Sequence, residues 1–553
     1  MIPTDYDIIF AGGGTTACVV AGRLAAADNT LRILVVENGR LTKDEPLHVQ
    51  PGRYLFDLRA PGPDVFTVHH ANPSAPLGGR ILRVSSASCV GGGSSVNAMM
   101  YNRAPASDYD AWMHAGNPGW GAADLIPLAK EVETYQAGVV DSMHGSCGPI
   151  KVSYGGYETK VGRDFLVAAA GFPRGRHFTE DLNDFVTCDV YGTGRRSDAA
   201  HFYLYPQIHN PNLHIITEAR ANRVIFNGTR AVGIEYYANG TLHTAAAARL
   251  VVISAGAFCS PAILERSGIG AKHLLEKHGV QVVSDLPGVG QNYGDHYAVT
   301  PAYLTTENEV TLAALALDED GAFEAEWKTN GRGLLATNGI DAGIKLRPNG
   351  QDLEQLGPAF TKRWETLLAD APDRYVALMY PVSTGFVHIC SVDAHTPLEI
   401  TTALLERCVA PLFFSNPLCF PIDYRSEEDI VLLRWAYKWS RELARRMDCY
   451  RGEHAAGHPA FGADSQALCR ESGRTYSMGT CAMKPREAFG VVDPSLNVYG
   501  VQNLKVADMS IAPSNVGANT YNTALIIGEK AASIIAAELG IRDVSRRWYN
   551  CRV

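Results

Sequence analysis

The chain has 553 residues, of which 46% are hydrophobic and 19% charged, a globular balance too long for one ordinary core. Its formal net charge of −9 argues against nucleic acid or anionic membrane as partners, since both reward clustered Lys and Arg. No long apolar span is present, and Asp5 and Asp7 interrupt the N-terminus where a signal peptide needs an apolar core, so the expectation is a cytoplasmic protein.

In chain order, Asp7-Ile8-Ile9-Phe10-Ala11 reads as a strand, followed at once by Gly12-Gly13-Gly14-Thr15-Thr16-Ala17 and a helix-compatible stretch from Cys18 to Ala27. That is a dinucleotide-binding start. Gly12 permits the tight turn, Gly14 lets the backbone approach a pyrophosphate, and the helix N-terminus offers N–H groups and partial positive charge. The apolar run Leu31 to Val36 then ends in Glu37, whose carboxylate can accept hydrogen bonds from ribose hydroxyls. A second glycine-rich stretch spans Cys89 to Arg103. Further on, Leu213–Ile216, Arg223–Phe226, Gly233–Tyr236 and Leu250–Ile253 read as short strands separated by Asn-Gly turns. Near the end, Leu504 to Ala507 reads as a buried strand closed by Asp508, and Thr523 to Leu539 as a helix stopped by Gly540.

Twelve cysteines run from Cys18 to Cys551 without a C-x-x-C pair, and the histidines are not clustered, so free thiols are expected and no metal site. Asn227-Gly228-Thr229 and Asn239-Gly240-Thr241 match the glycosylation pattern but mean little without a secretory signal. The terminus Asn550-Cys551-Arg552-Val553 is not of the Ser-Lys-Leu peroxisomal type.

Several phrases together resemble the glucose–methanol–choline (GMC) flavoprotein oxidoreductases. Gly78-Gly79-Arg80, with Cys89 to Arg103, resembles the first family signature, and Ser254 to Gly270 the second. Gly479-Thr480-Cys481-Ala482-Met483, Val491 to Pro494, Leu504 to Asp508 and Asn519-Thr520-Tyr521-Asn522-Thr523-Ala524 follow the family ending. Gly194 to His201 and Ala336 to Ile340 are similar to the fungal alcohol (methanol) oxidase branch. The resemblance covers nearly the whole chain and is weakest from about Asp352 to Tyr476.

It implies an α/β fold: a Rossmann-like FAD-binding domain (1–60, 77–112, 212–296 and 479–553) interleaved with an α+β substrate-binding domain (148–211 and 299–478). It also implies FAD as cofactor, met by Gly12, Gly14, Thr15, Thr16, Glu37, Gly92, Ser94, Asn97, Met99, Val224, Asp508, Asn519 and Thr520. The implied chemistry is hydride transfer from the CH–OH carbon of a small organic substrate to flavin, which is then reoxidised, often by dioxygen. The helix after Asn519 would aim its N-terminus at the flavin, where reduction develops negative charge.

One part departs from the pattern. Where alcohol oxidases carry a Trp-His pair just upstream of Gly-Thr-Cys, this chain has Thr475-Tyr476-Ser477-Met478, so Tyr476 stands in place of the base histidine, with Asn519 retained. With an unperturbed pKa of about 10, ionising a tyrosine at pH 7 costs roughly 4 kcal/mol, or on the order of a thousandfold in rate. Tyr476 suits a hydrogen-bond donor, a general acid, or a base for an already acidic proton. Two readings of the activity follow: oxidation of a CH–OH group in a small organic substrate of secondary-metabolite type, or a flavin-retaining lyase, isomerase or cyclase. A binding protein without catalysis is a third. His201, His296 and His458 are candidate substitutes for the base, though a single histidine without a partner is more often structural. Arg195-Arg196-Ser197-Asp198 reads as a local charge pair at a domain seam rather than an acid-substrate site. The partners implied are a small molecule and dioxygen, with a homo-oligomer compatible.

Overall fold

The computed structural model describes residues 5–54, 65–70, 83–138, 143–171, 185–186, 192–294, 296–299, 301–306, 310–318, 320–340, 342–381, 388–389, 398–399, 408–416, 427–454, 477–541 and 544. Two sheets organise them. The larger contains β1 (Asp5–Ala11), β2 (Ile33–Val36), β3 (Leu213–Ile216), β4 (Ala219–Asn227), β5 (Arg230–Ala238), β6 (Thr241–Ile253) and β7 (Leu504–Val506). Its order is β4-β5-β6-β1-β2-β3, with β7 also on β6. The core strands are parallel, pairing Phe10 with both Val35 and Val252, and Val252 with Lys505. Continuous apolar runs such as Ile33–Val36 suit that position, since a parallel strand is covered on both faces.

The β4, β5 and β6 hairpins are antiparallel and longer than the sequence reading allowed. Their joints are the expected Asn-Gly pairs, with left-handed backbone at Gly228 (φ 60), Asn239 (φ 50) and Gly240 (φ 72). Polar and exposed residues on the outer half of β6 masked the strand, because only its inner end, Leu250–Ile253, is continuously apolar and buried.

Three helices serve this sheet: α1 (Thr15–Ala27), α2 (Gly256–Arg266) and α3 (Thr520–Leu539). Both α1 and α3 begin three residues earlier than the apolar pattern indicated, because the extended residues Gly14 and Asn519 start them and the first polar turn carries no period. Gly540 (φ 71) ends α3 as expected. The two helices pack closely: a Cβ on Gly528 would lie 2.7 Å from Val19 Cβ. Thr16 Oγ1 donates to Ala524 O, and buried Arg23 forms a bidentate pair with Glu529, whose Oε1 also accepts from Tyr203 Oη at 2.7 Å.

The second sheet is antiparallel and comprises Tyr297–Val299, Ala302–Thr305, Ile344–Leu346, Ala377–Pro381, Cys408–Asn416 and Tyr450–Glu453. A separate core that includes Phe165, Tyr303, Phe360, Met379, Leu432 and Trp435 joins it to helices Lys160–Ala170, Gly350–Leu367 and Glu427–Arg445. Among the described residues no helix is long and apolar enough to cross a membrane. Cys18, Cys89, Cys259 and Cys481 are free, but Cys147 is disulfide-bonded, which corrects the expectation of free thiols throughout. Pairing depends on spatial approach of two Cα atoms, which spacing along the chain does not report.

Candidate flavin and substrate site

The carboxyl ends of β1, β6 and β7 meet at one edge of the parallel sheet. Ser254, just past β6, donates its N–H to Ala11 O and its Oγ to Ala507 O. Gly12 (φ 108) turns against it so tightly that a Cβ there would sit 2.4 Å from Ser254 O. Gly14 caps α1 without a side chain, so no side chain of the cap covers the helix N-terminus.

The second glycine loop lies directly on this turn. Gly91 N–H donates to Gly13 O, and a Cβ on Gly92 (φ 53) would be 2.8 Å from Gly14 Cα. Thr15 Oγ1 donates to Gly91 O and accepts from Ser94 N–H. Gly93 is exposed, and a Cβ there would meet nothing within 4 Å. Two glycine turns in backbone contact, beside an uncapped helix start and an open edge, fit the pyrophosphate of the expected FAD. Glu37 lies behind the turn, with Oε2 accepting from Gly13 N–H at 2.8 Å and Oε1 from Gly39 N–H at 2.9 Å. Burial raises its pKa, with those N–H bonds opposing. Each oxygen retains a further lone pair with which to accept from a ribose hydroxyl.

The second loop is fixed from below by residues the sequence reading assigned otherwise. Arg196, 1% exposed, donates to His48 O, to Asn97 O and to Asn97 Oδ1. Among the described residues it holds carbonyl oxygens, while Arg195 pairs with Asp44 at 2.7 Å and not with Asp198, so a long-range ion pair stands in place of the expected local one. Asp198 Oδ2 accepts from Ser95 Oγ, and Oδ1 accepts from His201 N–H with the His201 Nδ1 2.8 Å away. Burial pushes Asp198 up, but His201 and these hydrogen bonds outweigh it and hold the carboxyl below its usual range. His201 is therefore placed as a partner of Asp198. The Asp198–His201 pair is local, three residues apart, but no local signal would have given the role of Arg196, whose partners on His48 and Asn97 lie about a hundred residues or more away.

At the other end of the edge, Asp508 joins β7 to α2. Its Oδ2 accepts from Gly256 N–H and Ser260 Oγ, and its Oδ1 from Ser510 N–H. The segment running to α3 is pinned at successive residues. His296 Nε2 lies 2.9 Å from Val516 O, Asp108 Oδ2 accepts from Gly517 N–H, and Asn519 N–H donates to Asn102 Oδ1 at 2.9 Å. Asn102 Nδ2 donates in return to Asn519 Oδ1 at 3.0 Å. Asn102 follows the strand that leaves the second glycine loop, so α3 starts beside that loop, with Thr520 partly exposed in its first turn. Burial pushes His296 down to about 4, which leaves it a neutral structural ring. Asp108 is pushed up to about 6, by burial first, although Gly517 N–H and Arg374 oppose it.

Of the expected cofactor residues, Gly12, Gly14, Thr15, Gly92, Ser94 and Asn97 are brought into one group. Others are engaged elsewhere. Thr16 is buried against α3, and Met99 (φ 57) has a fully buried side chain and gives its N–H to Asn97 Oδ1. Val224 is 1% exposed in the core and donates its N–H to Ser267 Oγ. Tyr476, His458 and the segment 461–474 lie outside the described residues. Next to Tyr476, Ser477 Oγ is 3.0 Å from Tyr293 Oη, and Met478 pairs through both backbone groups with Gly294.

A parallel sheet with two abutting glycine turns at its carboxyl edge, an acid after the second strand and a C-terminal helix beginning beside them defines a Rossmann-like flavoprotein. Residues 6–298 match the N-terminal and residues 381–528 the C-terminal model of the GMC oxidoreductases. The chain is 35% identical to the alcohol oxidase of Pichia angusta over 98% of its own length and 96% of that protein. The alignment spans 646 positions, more than the chain possesses, so that oxidase carries insertions relative to it. Identity to the oxygen-dependent choline dehydrogenase of Paraburkholderia xenovorans is 29%, over 99% and 97% of the two chains. A formate oxidase structure superposes with a TM-score of 0.80 at 22% identity, over 97% and 99% of the two chains, and so shares the fold. The chain belongs to the GMC oxidoreductase family and is an FAD-dependent oxidoreductase.

Proposed function

We propose that the chain oxidises the CH–OH group of a small organic alcohol to a carbonyl, with Tyr476 and Asn519 flanking the substrate. The observation that carries this reading is the position of Asn519, which starts α3 beside the second glycine loop and has its amide fixed by Asn102. When bound, FAD supplies the two-electron acceptor for the hydride leaving the carbinol carbon. The larger sheet holds the cofactor in this reading, and the antiparallel sheet with its helices covers the substrate. Gly12, Gly14, Thr15 and Gly92 cradle the pyrophosphate, and Glu37 accepts from ribose. Asn519 donates to the substrate oxygen and so stabilises the alkoxide character that develops there. In the same reading the hydroxyl proton passes to Tyr476 as a phenolate, which suits a substrate whose proton is already acidic. Dioxygen would accept the two electrons from the reduced cofactor, with two protons, and leave as peroxide.

Because no histidine stands at position 476, substrates with an activated carbinol, such as benzylic or allylic alcohols, are favoured over methanol. The test is anaerobic absorbance of the holoenzyme: an activated primary alcohol should bleach the flavin, and methanol should do so far more slowly. Turnover of a substrate without any bleaching would replace this reading with the lyase, isomerase or cyclase alternative.

A further inference from the structure

An asparagine at a helix N-cap ordinarily turns its Oδ1 toward the N–H groups of the first turn. Asn519 does not: its side chain makes no capping bond to α3, and its Oδ1 accepts from Asn102 Nδ2 at 3.0 Å. The orientation of both amides is determined by chemistry. The backbone N–H of Asn519 can only donate, so the Asn102 atom 2.9 Å from it must be the oxygen. The other end of the Asn102 amide is therefore its NH2 group, and the Asn519 atom it meets must be an acceptor. Both residues are buried, 7% and 4% exposed, so water competes little for these bonds.

We propose that Asn102 is a positioning residue that sets the amide of Asn519 so that its NH2 edge, rather than its carbonyl, is offered to the substrate oxygen. This rests on the functional reading that places Asn519 against the substrate. The reciprocal pair closes a ring through one backbone and two side-chain groups, and it fixes both the rotation and the flip of the Asn519 amide. A site so arranged selects ligands that present an oxygen acceptor, such as an alcohol losing its proton or a carboxylate. It also leaves the first-turn N–H groups of α3 without a cap from Asn519, oriented along the helix axis toward negative charge.

The test is a double-mutant cycle on holoenzyme with Asn102→Leu, Asn519→Ala and the double variant, monitoring FAD content, thermal unfolding and two functional readouts. One is kcat/KM for benzyl alcohol. The other is the Kd of acetate, a pure hydrogen-bond acceptor, followed by perturbation of the flavin absorbance. Asn519→Ala should lower kcat/KM by about 10²–10³-fold, as for loss of one positioned donor. Asn102→Leu should lower it by roughly 10²-fold, as for a misplaced one, with FAD retained. In the Asn519→Ala background the Asn102→Leu change should cost nothing further, and acetate affinity should show the same coupling. Asn102→Thr, which keeps a hydroxyl donor, should recover part of the loss and stands in if Asn102→Leu does not fold. Independent, multiplying effects of the two substitutions would overturn the inference while leaving Asn519 at the substrate. An Asn519→Ala enzyme with full activity and unchanged acetate affinity would instead remove the functional reading, and the inference with it.

Discussion

The two ends of the flavin edge are built by different means. At the pyrophosphate end, backbone presses on backbone: Gly12 on Ser254, Gly92 on Gly14. At the substrate end, side chains grip a loop, with His296, Asp108 and Asn102 binding Val516, Gly517 and Asn519 in turn. The first design leaves no room for a side chain at Gly12 or Gly92, and Glu37 behind the turn is the group there whose protonation matters. The second depends on groups that titrate or can be exchanged, so specificity can be retuned there without disturbing cofactor geometry.

Substitutions at the two ends should therefore separate chemistry from cofactor binding. The largest effect is expected at position 476. Tyr476→Phe should lower turnover by about ten- to ten-thousandfold, the span of a positioned acid or base, while flavin absorbance stays intact. Tyr476→His should raise alcohol oxidation, since an imidazole with a pKa of about 6.5 removes most of the ionisation cost. Full activity in Tyr476→Phe would move the chemistry to another residue.

Next in size is the link between the ends. Glu529→Ala leaves Arg23 buried without its carboxylate and should cost about 3–5 kcal/mol, seen as a lower unfolding midpoint in denaturant. A loss below about 1 kcal/mol would show that the α1 and α3 packing stands without the pair.

The substrate end should also respond to acid. His296 has a native pKa of about 4 against 6.5 unfolded, so the unfolded chain binds more protons between those values. Its contribution is complete above pH 6.5 and is lost as pH falls toward 4, amounting to about 3 kcal/mol at 1.36 kcal/mol per unit. His296→Gln should flatten the stability profile in that window, and an unchanged profile would contradict the assignment.

The smallest effect is expected at Glu37. Glu37→Ala removes charged acceptors for ribose, worth about 1.5–3 kcal/mol, and should reduce FAD occupancy with little change in kcat for the molecules that retain it. Because FAD needs the ionised carboxylate and burial raises the Glu37 pKa, affinity should fall as pH drops through that raised value. Equal FAD affinity in wild type and Glu37→Ala would place the ribose elsewhere.

The same contrast explains what could be read from the residues alone. The Gly12 to Glu37 unit is local: strand, turn, helix, strand and acid follow within one stretch, so spacing reveals function. The family phrases carried the fold class and the cofactor for the same reason. The substrate end is assembled from partners 417 residues apart in the case of Asn102 and Asn519, and 409 for Asp108 and Gly517. No periodicity connects such pairs. Arg196 is visible in the sequence as a charge, but its partners on His48 and Asn97 lie far away in the chain, and two of them are backbone carbonyls with no sequence signature. Val224 lay on an expected strand, yet its N–H is committed to Ser267, a contact set by how α2 packs on β4.

The strand order of the larger sheet has a consequence for biosynthesis. β1 emerges first from the ribosome, but its neighbour β6, and β7 beyond it, follow about 240 and 500 residues later, and Arg23 waits for Glu529. At a synthesis rate of about 5–20 residues per second, the N-terminal glycine turn spends tens of seconds without the segments that close it. The nascent chain thus has to remain unaggregated with an incomplete nucleotide fold, and cofactor capture becomes a late, post-translational event. A ribosome-stalled chain ending before α3 should emerge colourless even in excess FAD.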